Sequence, residues 1–196
     1  MARSKNFERE EKLIQAMELF WQKGYAETSM ADLVAHLGIN RFSIYNSYID
    51  KESLYQEALA YYLNNVSLPA LTALRSEQAG AKEVIHFLSQ FAQLQHEQTC
   101  GCFLQNALLE RAYDNKPIRD KANDLFLALE QAFLNALTND QQKGLITPAA
   151  DISQLSRFLV MQMQGIRVLG KARQYDVIQD ALAIVSTTLN SYRIIE

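Results

Sequence analysis

The sequence predicts an all-α chain: three short N-terminal helices, a long fourth helix, and a larger helical C-terminal part. Three observations predict it. Apolar residues recur at helical spacing nearly everywhere, as in Leu13, Met17, Phe20 and Trp21, or Ile178, Ala181, Leu182, Val185, Leu189 and Tyr192. No alternating segment bounded by turn residues stands out. The few breakers, 7 Gly and 3 Pro in 196 residues, fall between the periodic blocks.

The elements follow in order. The first helix covers about residues 7–23 and ends at Gly24. Ser29 is placed to cap a second helix, with Asp32 three residues on as in a capping box, and that helix stops at Gly38. Asn40 caps a third over 41–47. Asp50 caps a fourth, which runs toward Val66, with Glu52 in its first turn, where the helix dipole favours an acid. Further helices are expected over 69–77, 82–97, 103–113, 117–142, 151–172 and 175–194, with Pro117 in a first turn. The expected domains are 1–49, a connecting helix 50–66, and 67–196.

Composition excludes several classes. With 48% apolar residues, the chain is neither low-complexity nor disordered. Two cysteines make no disulfide framework, no apolar run follows the N-terminus, and no stretch of 18 apolar residues occurs, so a cytoplasmic protein is expected. No Gly-rich phosphate loop, nucleophile elbow or paired His-Glu metal helix is present, and His36, His86 and His96 are scattered. Neither an enzyme nor a cofactor is expected.

The N-terminal part carries the functional signal. Three short helices with the tight turn Leu37-Gly38-Ile39-Asn40 are the layout of a helix-turn-helix domain, although Gly turns also join ordinary helical pairs. The third helix carries Arg41, Phe42, Ser43, Tyr45, Asn46 and Ser47 on or near an exposed side, and Ile44 and Tyr48 anchor the other. Arg can read guanine bidentately, an aromatic edge can meet a thymine methyl, and hydroxyls with Lys51 can meet phosphates. The net charge of −3 does not advertise DNA, and residues 1–66 hold 7 basic and 9 acidic groups. Residues 33–49 nonetheless contain no acid, and Arg3 and Lys5 precede the first one. This local footprint predicts weak non-specific binding and affinity that depends on a well-fitted operator.

The segment from Lys23 to Leu54 resembles the DNA-binding domain of the tetracycline-repressor (TetR) family. The matching marks are Gly24-Tyr25, Thr28-Ser29, Leu33, Gly38-Ile39, Ile44-Tyr45 and Asp50-Lys51-Glu52 followed by Leu54. The resemblance implies DNA-backbone contacts at Tyr45 and Lys51, and a phosphate beside Ser29 at the start of the second helix, with Thr28 a further candidate DNA contact. It implies base-reading and groove-lining roles for Arg41, Phe42 and Ser43, with Asn40, Asn46 and Ser47 completing the surface. Phe42 stands where many relatives have Gly, Ser47 replaces a frequent His or Tyr, and Tyr48 replaces a usual Phe.

One helix-turn-helix unit reads few base pairs, and dimers present two half-sites about 34–36 Å apart. The helix over 151–172 is apolar on more than one face, so Phe158, Met161 and Ile166, with Ile178, Val185 and Leu189 of the last helix, are candidate homodimer contacts. Residues 152–175 contain Arg157, Arg167, Lys171 and Arg173 and no acid; a second nucleic-acid surface is the alternative to cations complementing a helix C-terminus. The resemblance implies a small-molecule effector pocket in the middle helices, where His86, Phe87, Phe91, Cys102, Phe103, Asn106, Tyr113, Phe126 and Phe133 are candidates. His96, Glu97, Cys100 and Cys102 fit no standard metal spacing, so no metal is expected; a thiol- or metal-responsive regulator using Cys100 and Cys102 is an alternative, and a protein-only adaptor a more remote one. The resulting expectation is a ligand-responsive regulator, a repressor in sign, that binds a near-palindromic double-stranded operator and is released by an effector.

Overall fold

A computed structural model of the chain describes residues 2–97 and 100–194, with side chains from residue 9 onward. The architecture is all-α, with nine helices among the described residues. They are α1 (Ala2–Lys23), α2 (Met30–Leu37), α3 (Arg41–Tyr48), α4 (Lys51–Tyr62), α5 (Ala81–Glu97), α6 (Phe103–Arg111), α7 (Lys116–Gln142), α8 (Ile152–Lys171) and α9 (Tyr175–Ser191). Arg3 and Lys5 of the expected basic arm have side chains outside those described.

Two stretches depart from the expected helices. The fourth helix does not run regularly to Val66; it ends at Tyr62 and passes into a π-helical turn, Leu63–Ser67. The helix expected over 69–77 is two short 3₁₀ turns, Pro69–Leu71 and Ala73–Arg75. Pro69 lacks an N–H, and carbonyls of this stretch accept from α7 side chains: Asn135 Nδ2 donates to Leu74 O at 2.8 Å, and Asn139 Nδ2 donates to Ser76 O at 3.2 Å.

The chain forms two compact units. The first comprises residues 1–67 with 102–122, the second 68–101 with 123–196, so the division falls inside α7. The first unit is built around aromatic rings. Phe20 of α1 meets Tyr55 of α4 edge-on at 4.9 Å, and Tyr55 meets Phe103 of α6 edge-on at 5.5 Å. Tyr62 also meets Phe103, at 5.9 Å. Such pairs contribute about 0.5–1.5 kcal/mol each beyond the area they bury. α6 is therefore part of the core that supports the N-terminal helices, although it lies some 40 residues further along the chain.

In the second unit α5, α8 and α9 pack on one another, with Ala92, Ile166 and Ile178 in a shared core. Gly170 permits the close approach of α8 to α5, because a Cβ there would stand 2.6 Å from Gln95 Cβ. Phe133 of α7 is buried against Phe87 of α5, with ring centroids 5.9 Å apart.

Candidate nucleic-acid interface

α3 is set by local chemistry at both ends. α2 stops at Gly38, whose backbone is left-handed at φ 64°, a conformation that suits a residue without Cβ. Asn40 then starts α3, its Oδ1 accepting from Ser43 N–H at 2.8 Å. Ile44 and Tyr48 are buried. The Tyr48 hydroxyl, the group added relative to the usual Phe, donates to Arg9 O at 2.6 Å. Arg9 of α1 covers the Tyr48 ring at 4.5 Å, donates to Ser47 O at 3.2 Å, and pairs with Glu57 of α4 at 2.7 Å. This clamp fixes the far end of α3 and was not visible in local sequence.

The opposite side of α3 is open. Arg41, Phe42, Tyr45, Asn46 and Ser47 are exposed and Ser43 is half-buried; Phe42 reaches 73% exposure. Arg41 donates to the Tyr45 hydroxyl from Nη2 at 3.0 Å and from Nε at 3.3 Å. The helix ends at Ile49, with φ 68° and ψ −62°, where Asp50 N–H closes onto Tyr48 O at 2.7 Å. That is a γ-turn of the strained hand, held by a β-branched residue.

Ser29 caps α2: its Oγ accepts from Asp32 N–H at 3.0 Å and donates to Asp32 Oδ2 at 2.7 Å. The Ser29 side chain and N–H, and then Lys23 at 3.0 Å, hold the Asp32 carboxyl down to about 2. A phosphate approaching this helix start therefore meets a carboxylate already seated there.

Lys51 Nζ stands 4.1 Å from the centroid of Tyr25, and Arg111 of α6 stands 3.9 Å from the same centroid. Burial lowers the Lys51 pKa. Arg111 Nη1 donates to Glu52 at 2.6 Å, and Asn115 Nδ2 donates to Glu52 at 3.1 Å. Burial alone would raise the Glu52 carboxyl, but hydrogen bonds from Gln56, Arg111 and Asn115 hold it below its usual range. Glu110 accepts from Tyr25 N–H at 3.0 Å and Ala26 N–H at 2.7 Å. The end of α6 thus grips both the α1–α2 turn and the start of α4.

α3 thus exposes an aromatic, an arginine and amide and hydroxyl groups, carries no acid, and is held from behind by buried anchors, as in the second helix of a helix-turn-helix. The family model described as bacterial regulatory proteins of the tetR family matches residues 13–58. The tetracyclin repressor-like C-terminal domain model matches residues 81–184, more than half of the chain. The chain belongs to the TetR family. TetR-family proteins are DNA-binding transcriptional regulators, not enzymes.

Relatives agree with this TetR assignment. The HTH-type transcriptional repressor ComR of Escherichia coli is 28% identical over 192 residues, covering 95% of this chain and 90% of ComR. A TetR transcriptional regulator from Chloroflexus aurantiacus has the same fold, with a TM-score of 0.87 at 23% identity, covering 98% of this chain and 100% of the other. CifR, a TetR-family regulator solved as a cysteine variant with a 26-base-pair operator DNA, gives a TM-score of 0.78 at 23% identity over 90% of this chain and 94% of CifR.

Within this TetR-family chain, several expected site residues need correction. Thr28 is fully buried and donates from Oγ1 to Gly24 O at 2.6 Å, so it braces the turn and does not present itself to DNA. Tyr113 and His86 are exposed. Cys102 and Phe103 are buried in the first unit, where Asn106 is half-buried; Cys102 caps α6, its sulfur accepting from Gln105 N–H at 3.5 Å. Phe87, Phe91 and Phe126 are half-buried in the second unit. Ile166, Ile178, Val185 and Leu189 are buried within the chain itself and are not available to a partner. Met161 is 63% exposed and Phe158 is half-buried. Val168 of α8 and Val177 and Ile184 of α9 are further exposed apolar residues on these two helices. No group of three His, Cys, Asp or Glu side chains able to hold a metal occurs among the described residues, and no described helix is long and apolar enough to cross a membrane.

Proposed function

We propose that this TetR-family regulator is a ligand-responsive repressor that binds a near-palindromic operator as a homodimer. The observation that carries the reading is α3: Ile44 and Tyr48 buried on one side, with Arg41, Phe42, Tyr45 and Asn46 exposed on the other. Arg41 reads base edges, Phe42 lines the groove, and Tyr45 and Lys51 hold phosphates, with Asn40, Ser43, Asn46 and Ser47 along the same surface; Ser29, whose hydroxyl and N–H are bonded to Asp32, acts as the cap of α2.

A second copy is the occupant proposed for the apolar stripes of α8 and α9. Met161 and Val168 lie seven residues apart on α8, and Val177 and Ile184 do so on α9, each pair on one helix face. These four, with Phe158, replace the buried residues as the proposed contacts.

Effector response is proposed to reach α3 through the grip of α6. A ligand shifts the operator-binding equilibrium only by its differential affinity for two conformations. Glu110 and Arg111 give α6 a direct hold on the α1–α2 turn and on α4. Selecting operators from random DNA with the full chain, then screening compounds for release of that complex, tests the whole reading. A palindromic motif bound by a dimer and released by a compound supports it; monomeric binding to a single half-site overturns it.

A further inference from the structure

Ile49 keeps a costly backbone for a side chain that its own chain leaves exposed. It ends α3 at φ 68° and ψ −62°, a left-handed turn that crowds a β-branched residue. At Gly24, Gly38, Gly101 and Gly144 the left-handed backbone falls to a residue without Cβ. At Ile49 it does not, and the side chain is 78% exposed, so burial within the chain does little to offset the strain.

The surface around Ile49 is that of α3. Ile49 N–H donates to Tyr45 O at 2.9 Å, so its Cα lies one turn beyond Tyr45 along the helix. Phe42, Tyr45 and Ile49 stand at i, i+3 and i+7, and all three are exposed. Residues 33–49 contain no acid. The next carboxylate, Asp50, is engaged as the cap of α4, its Oδ1 accepting from Ser53 N–H at 2.7 Å. An apolar strip without acids, continuous with the Arg41–Tyr45 pair, suits the edge of a DNA groove better than an aqueous surface.

Along that strip Ile49 falls between Tyr45 and Lys51, the two proposed phosphate contacts. Successive phosphates of one strand are joined by a deoxyribose, whose C–H face is the apolar group between them and is the same whatever the base. Contacts to phosphate and sugar fix register and orientation without reading sequence. We infer that Ile49 is a further DNA contact, its side chain packing on the deoxyribose between the phosphates met by Tyr45 and Lys51. This rests on the proposed role of α3 and adds to it an apolar contact with the DNA backbone.

The test measures affinity of the full chain for its selected operator, a mismatched operator and unrelated DNA, over a range of salt. Wild type is compared with Ile49→Ala, Ile49→Val and Ile49→Gly, and urea denaturation certifies each as folded. Ile49→Ala removes the outer carbons and is expected to weaken binding about fivefold on all three DNAs alike. The salt slope should keep its wild-type value, because an apolar contact displaces no counter-ion, whereas Lys51→Ala lowers it by about one. Ile49→Val should stay within about threefold of wild type. Ile49→Gly should bind at least as weakly as Ile49→Ala although its urea midpoint rises, which separates loss of contact from loss of fold. Wild-type affinity in Ile49→Ala or Ile49→Gly overturns the inference. So does a changed salt slope in Ile49→Ala, or a loss confined to operators with thymine at one position, which would put the side chain on a base. A loss of self-association in Ile49→Ala without DNA, read by sedimentation equilibrium, overturns it by assigning the side chain to a second copy. If Ile49→Ala is neutral while Arg41→Ala and Lys51→Ala weaken binding, the inference falls and the role of α3 stands; if all three are neutral, both fall.

Discussion

Arg41 and Tyr45 are bonded to each other before any DNA arrives, guanidinium to hydroxyl, with Nη2 at 3.0 Å. One turn of α3 separates them, so the proposed base reader and the proposed phosphate contact share one patch. The hydroxyl accepts from Arg41 and keeps its own proton for a phosphate oxygen. Arg41→Ala is expected to cost about 1–3 kcal/mol of specific binding and to relax preference at one base position. Tyr45→Phe should cost about 1 kcal/mol on every sequence alike. Because the two touch, the double variant should lose less than the sum, as read by titration of matched and mismatched operators. Strict additivity would mean that the pair dissolves on DNA.

Lys51 starts from a less favourable place than a surface lysine, since it sits against the Tyr25 ring and burial lowers its pKa. Lys51→Ala is expected to weaken all sequences alike and to reduce the salt slope of binding by about one. An unchanged slope would remove Lys51 from the phosphate contacts.

The start of α2 is sensitive to acid. Asp32 is held at about 2, below the ordinary aspartate value of about 3.9. Its contribution to stability is therefore complete above pH 4 and is lost as pH falls from about 4 to about 2. Asp32→Asn should flatten that part of the stability curve, and Ser29→Ala should cost about 1 kcal/mol at neutral pH, both read by urea denaturation. Parallel acid limbs in wild type and Asp32→Asn would contradict the assignment.

These caps explain which parts of the fold were legible. Ser29, Asn40, Asp50 and Gly38 act within three or four residues, so the ends of α2 and α3 and the start of α4 could be read from order alone. Thr28 is not legible in this way, because the order of residues does not show whether a hydroxyl beside a helix start faces outward or, as here, bends back to the Gly24 carbonyl. Distant contacts were invisible. Glu110 meets Tyr25 across 85 positions, Arg9 meets Glu57 across 48, and Phe103 joins the core of the N-terminal helices. An apolar stripe likewise does not say whether its own chain covers it: Ile166 and Ile178 are covered by the chain itself, whereas Val168 and Ile184 of the same helices stay exposed.

Ile49 offers a stability test that needs no DNA. It is 78% exposed and holds a left-handed backbone that costs a non-glycine residue about 1–3 kcal/mol. Glycine removes that strain at an entropic cost of about 0.5–1 kcal/mol. Ile49→Gly is expected to raise the urea midpoint by the equivalent of about 1 kcal/mol; a lower midpoint would show that the side chain, not the turn, matters.

The grip of α6 predicts a separable coupling. Glu110→Ala combined with Arg111→Ala is expected to leave effector binding measurable while the coupling to operator release, typically about 1–3 kcal/mol, falls toward zero. Effector titration in the presence and absence of operator reads it, and full coupling in the double variant would assign the signal to another path.

The most direct test of the account is selection of binding sites from random DNA by the full chain, with Arg41→Ala run in parallel. The account predicts a motif of two inverted half-sites for the wild type, with preference lost at a symmetric pair of positions in Arg41→Ala. No enriched motif, or one that Arg41→Ala leaves unchanged, would contradict the claim that α3 reads the operator.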